Sequence, residues 1–288
     1  MDLTSPDFIR RLDTLHLLAR KVLGGTLQAD RKSTTKGSGV TFADYAEYYY
    51  GADFRAIDWR VFARFESLVI KLFELEEDAT IYLLLDLSRS MESKSLYAKQ
   101  LAAAIGYIAL NSLDRLAVYG LGDTLDPIVD PCRGRSKALP MLRALQEAES
   151  QPGDTRFNAC CRVFQARRQR RGLVVVISDF LFPDGFEEGL NYLGFHGHDV
   201  YALQVQDDGD TTCDWKGDAD LTCVETGAHR RITVTDGEAK RYEQAVRDWN
   251  ESLRTCCARR AIGLASIGTE IPFERVVEDI LRRGGLVA

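Results

Sequence analysis

The run "LVVVI" at residues 173–177 leaves no polar position on either side of the chain. A strand sends successive side chains to opposite faces, so a run with no polar alternate has to be covered on both. Runs at 80–85, 116–121, 200–205 and 261–267 also read as strands. Between them, stretches 94–112, 136–148, 156–170, 238–257 and 271–282 space their apolar residues as helices do. In the last stretch Phe273, Val276, Val277, Ile280 and Leu281 make one buried stripe. Buried strands alternating with amphipathic helices predict a doubly wound, three-layer α/β sandwich with a mostly parallel sheet. The Asp-, Gly- and Thr-rich stretch 207–236, with runs such as "RRITVT", predicts an antiparallel excursion inserted into that pattern.

Ahead of the alternation the chain is different. Residues 6–23 read as a helix, with Ser5 as N-cap, Pro6 in the first turn, and Leu12, Leu15, Ala19 and Val22 as its apolar stripe. "GGTLQADRKSTTKGSGV", 24–40, reads as a loop, and 67–74 alternates well enough for a strand. The expected division is therefore residues 1–78, a helix and a small aromatic-rich subdomain, and residues 79–288, the α/β domain with its insertion near 207–236.

With 37 basic against 43 acidic residues, a net −6, the chain lacks the electrostatic footprint of a nucleic-acid binder. The basic run "ARRQRRG", 166–172, reads as a solvated helix end, with a partner-binding patch as the alternative. No run approaches 18 apolar residues, and "MDLTSPDFIRRLD" has neither a basic start nor an apolar stretch. The expectation is a cytoplasmic protein without an integral membrane segment. Seven cysteines, an odd number, argue against a full disulfide framework. The adjacent pairs 160–161 and 256–257 point about 100° apart on a helix, so they read as buried thiols, not as a metal site.

In "IYLLLDLSRSM", 81–91, the first strand ends at Asp86, with Ser88 and Ser90 following in D-x-S-x-S spacing. Asp179, in "LVVVISDF", ends another strand, and Thr155 opens a helix in "PGDTRF". Doubly wound sheets bind ligands beyond the carboxyl ends of their strands. Three hydroxyls and two carboxylates there would supply much of the six-oxygen shell that magnesium requires. The competing reading is local: Asp86 capping a turn and Thr155 capping a helix. No glycine-rich nucleotide fingerprint or Walker A sequence is present, and "DLSRS" lacks the second carboxylate of an aspartyl-phosphate enzyme. His196 and His198, in "GFHGHD", fall at the opposite edge and read as turn or surface histidines, so no catalytic residue is assigned.

D-x-S-x-S with the later Thr and Asp resembles the metal-ion-dependent adhesion site of von Willebrand factor A-type domains. Residues 51–64, "GADFRAIDWRVFAR", with "LVIKLFELEE", the "ETG" at 225–227 and "IPFERVVEDILRRGG", resemble domain-of-unknown-function family 58. These are bacterial proteins often encoded beside MoxR-type AAA+ ATPases. The resemblance implies a von Willebrand factor A-like fold and a non-catalytic binding or adaptor protein. Its cation would be Mg2+, with Mn2+ or Ca2+ as alternatives, held by Asp86, Ser88, Ser90, Thr155 and Asp179. An acidic residue of a protein partner, a MoxR-type ATPase or its client, would complete the shell. A metal-dependent phosphoester hydrolase and an assembly protein with a vestigial site are the alternatives. Ala46 and Ala52 depart from the family pattern, which has arginine and aspartate there. Asp53, Arg55, Asp58 and Arg64 read as a charge network bracing Trp59 and Phe62, or as a docking surface.

Overall fold

A computed structural model of the chain describes residues 2–30, 41–49, 57–74, 79–150, 155–213, 216–222 and 229–282. Residues 51–56 and 225–227, which carry part of the family pattern, and Cys223 lie outside the described residues. Two compact units separate by their contacts, residues 24–78 and residues 1–23 with 79–288.

The smaller unit contains β1 (Thr41–Glu47), α2 (Trp59–Phe65) and β2 (Val69–Glu74), the two strands pairing antiparallel. Asp58, expected in a charge network, caps α2. It accepts hydrogen bonds from Arg60 N at 2.9 Å and Val61 N at 3.4 Å, and one from the Tyr45 hydroxyl at 3.0 Å. That satisfies backbone donors that a helix start otherwise leaves open.

Helix α1 (Pro6–Asp30) gives its residues through Leu23 to the larger unit and runs on into the stretch expected as a loop from residue 24; residues 31–40 lie outside the described residues. Continuing a helix through Gly24 and Gly25 costs only about 1 kcal/mol for each glycine, which weakens the helix without ending it. The expected division placed this first helix with the aromatic segment. Its residues through Leu23 belong instead with the sheet, because Leu3, Phe8, Leu12, Leu15 and Ala19 are buried in one of the two cores there. Ser5 Oγ accepts from Phe8 N at 3.3 Å at the start of the helix.

The sheet strands are β3 (Thr80–Asp86), β4 (Arg115–Leu121), β5 (Leu125–Arg133), β6 (Leu173–Ser178), β7 (Asp199–Gln206) and β10 (Gly263–Gly268). They lie in the order β10-β7-β6-β3-β4-β5, parallel except for the edge strand β5. Helices α3 (Ser95–Asn111), α4 (Ala138–Glu147) and α9 (Phe273–Arg282) join α1 on one face, burying Leu83, Leu85, Val175 and Ile177. Helices α5 (Phe157–Ala166), α6 (Glu187–Phe195) and α8 (Asp236–Arg259) bury Tyr82, Leu84, Val174 and Val176 on the other. The valines of "LVVVI" thus divide between two cores, each fully buried side chain worth about 1.5–3 kcal/mol over exposure. After β7, the short α7 (Asp208–Thr211) leads to β8 (Gly217–Thr222) and β9 (His229–Val234), the antiparallel excursion. Among the described residues no helix is long and apolar enough to cross a membrane.

Strand β5 and helix α6 were not foreseen. His198, read as a turn or surface residue, is buried against Tyr82 and Phe164. Its ring nitrogens lie 3.3 Å from the Gly172 carbonyl and 3.1 Å from the Gln165 amide oxygen.

Candidate metal centre

The order of the sheet decides where a ligand can sit. The chain leaves β3 for α3 on one face and β6 for α6 on the other, while β3 and β6 are neighbours. Adjacent strands whose connections diverge open a crevice at their carboxyl ends. Leu85 pairs with Ile177 in the parallel ladder, so Asp86 and Ser178 reach that crevice in step and Asp179 one residue later. Arg156 N donates to the Gly122 carbonyl at 3.0 Å, which fastens the segment carrying Thr155 to the end of β4. Asp86, Ser88, Ser90, Thr155 and Asp179 then line one small pocket, with Leu181, Phe182 and Pro183.

Each side chain has a distinct environment. Asp86 is buried; its Oδ1 accepts from Ser88 N at 3.0 Å and its Oδ2 from Ser178 Oγ at 2.5 Å. Burial, and after it the Asp179 charge, push the Asp86 carboxyl up to about 7 against the pull of those hydrogen bonds. Ser88 precedes a single turn at Arg89–Met91, but its hydroxyl does not cap it; it lies 3.0 Å from Ser90 Oγ. Thr155 does not cap α5 either. Its hydroxyl is one of three buried side-chain polar atoms, among the described residues, that have no hydrogen-bond partner. The local reading of D-x-S-x-S is realised only in the turn that Ser88 N closes onto Asp86.

Asp179 is held differently. Its Oδ1 accepts from Leu181 N at 3.0 Å, and its Oδ2 accepts from the Lys94 ammonium at 2.8 Å. Lys94 is 1% exposed and donates also to Asp210 Oδ2 at 2.7 Å. Burial alone would lower the Lys94 pKa, but the Asp179 and Asp210 carboxylates more than reverse this and raise it, so the ammonium stays charged. Asp210 is fixed in turn by a capping box with Asp207, and Ser93 Oγ donates to Asp207 Oδ2 at 2.8 Å. The loop after Asp179 carries backbone strain: Phe180 is buried at φ 61°, a region unfavourable for a side chain with a Cβ. Ser178 Oγ accepts from Phe180 N at 2.8 Å and Trp249 Nε1 donates to the Phe180 carbonyl at 3.1 Å, which hold that conformation.

Sequence reasoning missed Lys94 and Ser178. A lysine beside a helix start normally reads as solvated, so nothing in its neighbours marked Lys94. Ser178 had a usable signal, its position in register with Asp86. Among the described residues no group of three His, Cys, Asp or Glu side chains is disposed to hold a metal ion. A cation here would rest on two carboxylates and three hydroxyls, an all-oxygen set suited to a hard ion. The orphaned Thr155 hydroxyl and the cation-starved Asp86 both fit such an ion.

A mostly parallel sheet of this order, with one antiparallel edge strand and helices on both faces, defines a doubly wound, three-layer α/β protein. The family described as "Protein of unknown function DUF58" matches residues 44–252, and the chain belongs to that family. The uncharacterized protein Rv1480 of Mycobacterium tuberculosis is 27% identical over 268 residues, 90% of this chain and 81% of that protein. The uncharacterized protein MAV169 of Mycobacterium avium is 30% identical over 131 residues, 43% of this chain and 77% of that one. Similar solved structures include the conserved hypothetical protein BatB from Bacteroides thetaiotaomicron, at 12% identity and TM-score 0.44, covering 71% of this chain and 98% of that one. The manganese-loaded TRAP protein of Plasmodium vivax has 20% identity and TM-score 0.36, covering 44% of this chain and 57% of that one.

Proposed function

We propose that this chain is a non-catalytic, cytoplasmic binding protein that captures an acidic side chain of a protein partner through a divalent cation. The observation that carries the reading is the Thr155 hydroxyl, buried without a hydrogen-bond partner in a pocket shared with two carboxylates and two serine hydroxyls. An unpaired buried hydroxyl costs about 1–3 kcal/mol, which a ligand accepting its lone pair would offset. Asp86, Ser88, Ser90 and Thr155 would hold the ion, with Asp179 beside it. Mg2+ suits neutral hydroxyls and retained waters best, with Mn2+ or Ca2+ as alternatives. Bound there, the cation supplies a Lewis-acidic position for an incoming carboxylate. The residues themselves orient it: Ser178 and Ser88 N fix the Asp86 carboxylate, and Arg156 N anchors the Thr155 segment. The family resemblance points to a MoxR-type AAA+ ATPase, or the client it remodels, as the partner.

The test is partner binding in Mg2+, in chelator, and with Asp86→Ala. Binding is expected in the first condition only, and equal affinity in all three would sink the reading. The alternative, a metal-dependent phosphoester hydrolase, would need a general base beside the ion. Against it, both Asp86 oxygens are engaged by Ser88 N and Ser178 Oγ. Chelator-sensitive phosphoester turnover by the metal-loaded protein would establish that alternative.

A further inference from the structure

The two carboxylates of the pocket are not equivalent, and the difference lies in Lys94. Asp86 accepts from neutral donors, a backbone N–H and a serine hydroxyl. Neutral donors bring no positive charge to the carboxylate, so no cation of the protein competes there with a bound one. Asp179 is neutralised by an ammonium 2.8 Å from Oδ2, and that ammonium has nowhere to go. It is 1% exposed and held from its other side by Asp210, which the Asp207 capping box fixes. A divalent cation that bound Asp179 directly would sit close to a trapped positive charge in a low-dielectric site, where like charges interact strongly.

We infer that Lys94 is the specificity-determining residue of this pocket: it keeps Asp179 out of direct coordination and so sets which cation the site accepts. The inference rests on the cation reading proposed above. With Asp179 withdrawn, the pocket offers one available carboxylate and three hydroxyls. Mg2+, which surrenders its waters reluctantly and is content with one or two carboxylates, fits such a site. Ca2+ takes six to eight oxygens and uses carboxylates in both modes, so it is penalised. A cation bound by fewer charges also stays more electrophilic toward an incoming acidic side chain. Lys94 therefore acts on both selectivity and capture without touching either ligand.

The experiment is calorimetric titration of the full chain with MgCl2 and CaCl2. The proteins are the wild type, the double variant Lys94→Met/Asp210→Asn, which removes the ammonium together with its second acid, and the single variant Asp179→Asn. In the wild type Mg2+ is expected to bind more tightly than Ca2+. In the double variant the Ca2+ affinity is expected to rise about tenfold or more relative to Mg2+, as Asp179 becomes a ligand. Asp179→Asn keeps the Lys94–Asp210 pair and guards against a double variant that does not fold. Its Mg2+ affinity is expected to fall by no more than the about 10–100-fold typical of a residue behind the ligands, whereas Asp86→Asn abolishes binding. An unchanged Ca2+/Mg2+ ratio in a folded double variant, or loss of all Mg2+ binding in Asp179→Asn, overturns the role of Lys94 and leaves the cation reading standing. A wild type that binds neither ion overturns both.

Discussion

The sheet has two polar ends, and they solve the same problem in opposite ways. At the amino end, His198, Gln165, the Gly172 carbonyl and the Tyr82 hydroxyl on the Arg170 carbonyl are buried or half-buried. All of these are uncharged contacts that close on one another, and they brace the sheet. At the carboxyl end, Asp86 and the Lys94–Asp179 ion pair are equally buried but ionisable, and the Thr155 hydroxyl is left open. Burying a charge is far costlier than burying a satisfied neutral group. An end built for stability alone would resemble the first. The second gives up stability for a prearranged set of oxygens, and that contrast marks it as the functional end.

The largest expected effect breaks the contrast at its most charged point. Lys94→Met leaves Asp179 and Asp210 without their shared counter-ion. Removing one partner of a buried ion pair typically costs about 3–5 kcal/mol. Chemical denaturation in the presence of a chelator should show a loss of that size. Added MgCl2 should recover part of it, because the cation replaces the lost positive charge. A loss below about 1 kcal/mol, the range of exposed pairs, would mean that Asp179 and Asp210 find water on their own and that the triad is loosely held.

How much of this was legible beforehand follows the same division. Strands β3 and β6 were readable because being buried on both faces leaves an unmistakable apolar run, and the register of the two strands carried Asp86 and Asp179 to one edge. The edge strand β5 was not readable. Its sequence "LDPIVDPCR" places proline at Pro127 and Pro131, and an edge strand tolerates what a central one excludes. The extension of α1 past Gly24 was missed because glycine weakens a helix without ending it. Lys94 was hidden for a deeper reason. Its partners come from positions 179 and 210, and no local pattern reports an ion pair closed across 85 and 116 residues.

A smaller effect sharpens the contrast at Thr155. Valine is close in shape to threonine but lacks the hydroxyl, and here that hydroxyl has no partner to lose. Thr155→Val should therefore change the unfolding free energy in chelator by less than about 1 kcal/mol, or raise it slightly. The same variant should bind Mg2+ more weakly than wild type by calorimetry. Stability kept and affinity lost is the signature of a ligand-facing hydroxyl. Stability lost with affinity unchanged would return Thr155 to an ordinary structural role.

The smallest effect belongs to the amino end and concerns acid. Burial lowers the His198 pKa below its ordinary 6.5, with the Gly172 carbonyl opposing the shift. A base whose folded pKa is depressed binds protons more readily when unfolded, so acid favours unfolding. The stability it contributes is fully present above about pH 6.5 and is lost as pH falls through the lowered folded value. His198→Gln keeps an amide able to meet Gly172 and Gln165 but cannot take up a proton. Its unfolding free energy should decline less steeply than that of wild type between about pH 6.5 and pH 5, measured in chelator so that the carboxyl end stays free of cation. Parallel curves for the two proteins would show that the acid response arises elsewhere. The amino end would then be a brace indifferent to pH, and the contrast between the two ends would rest on charge at the carboxyl end alone.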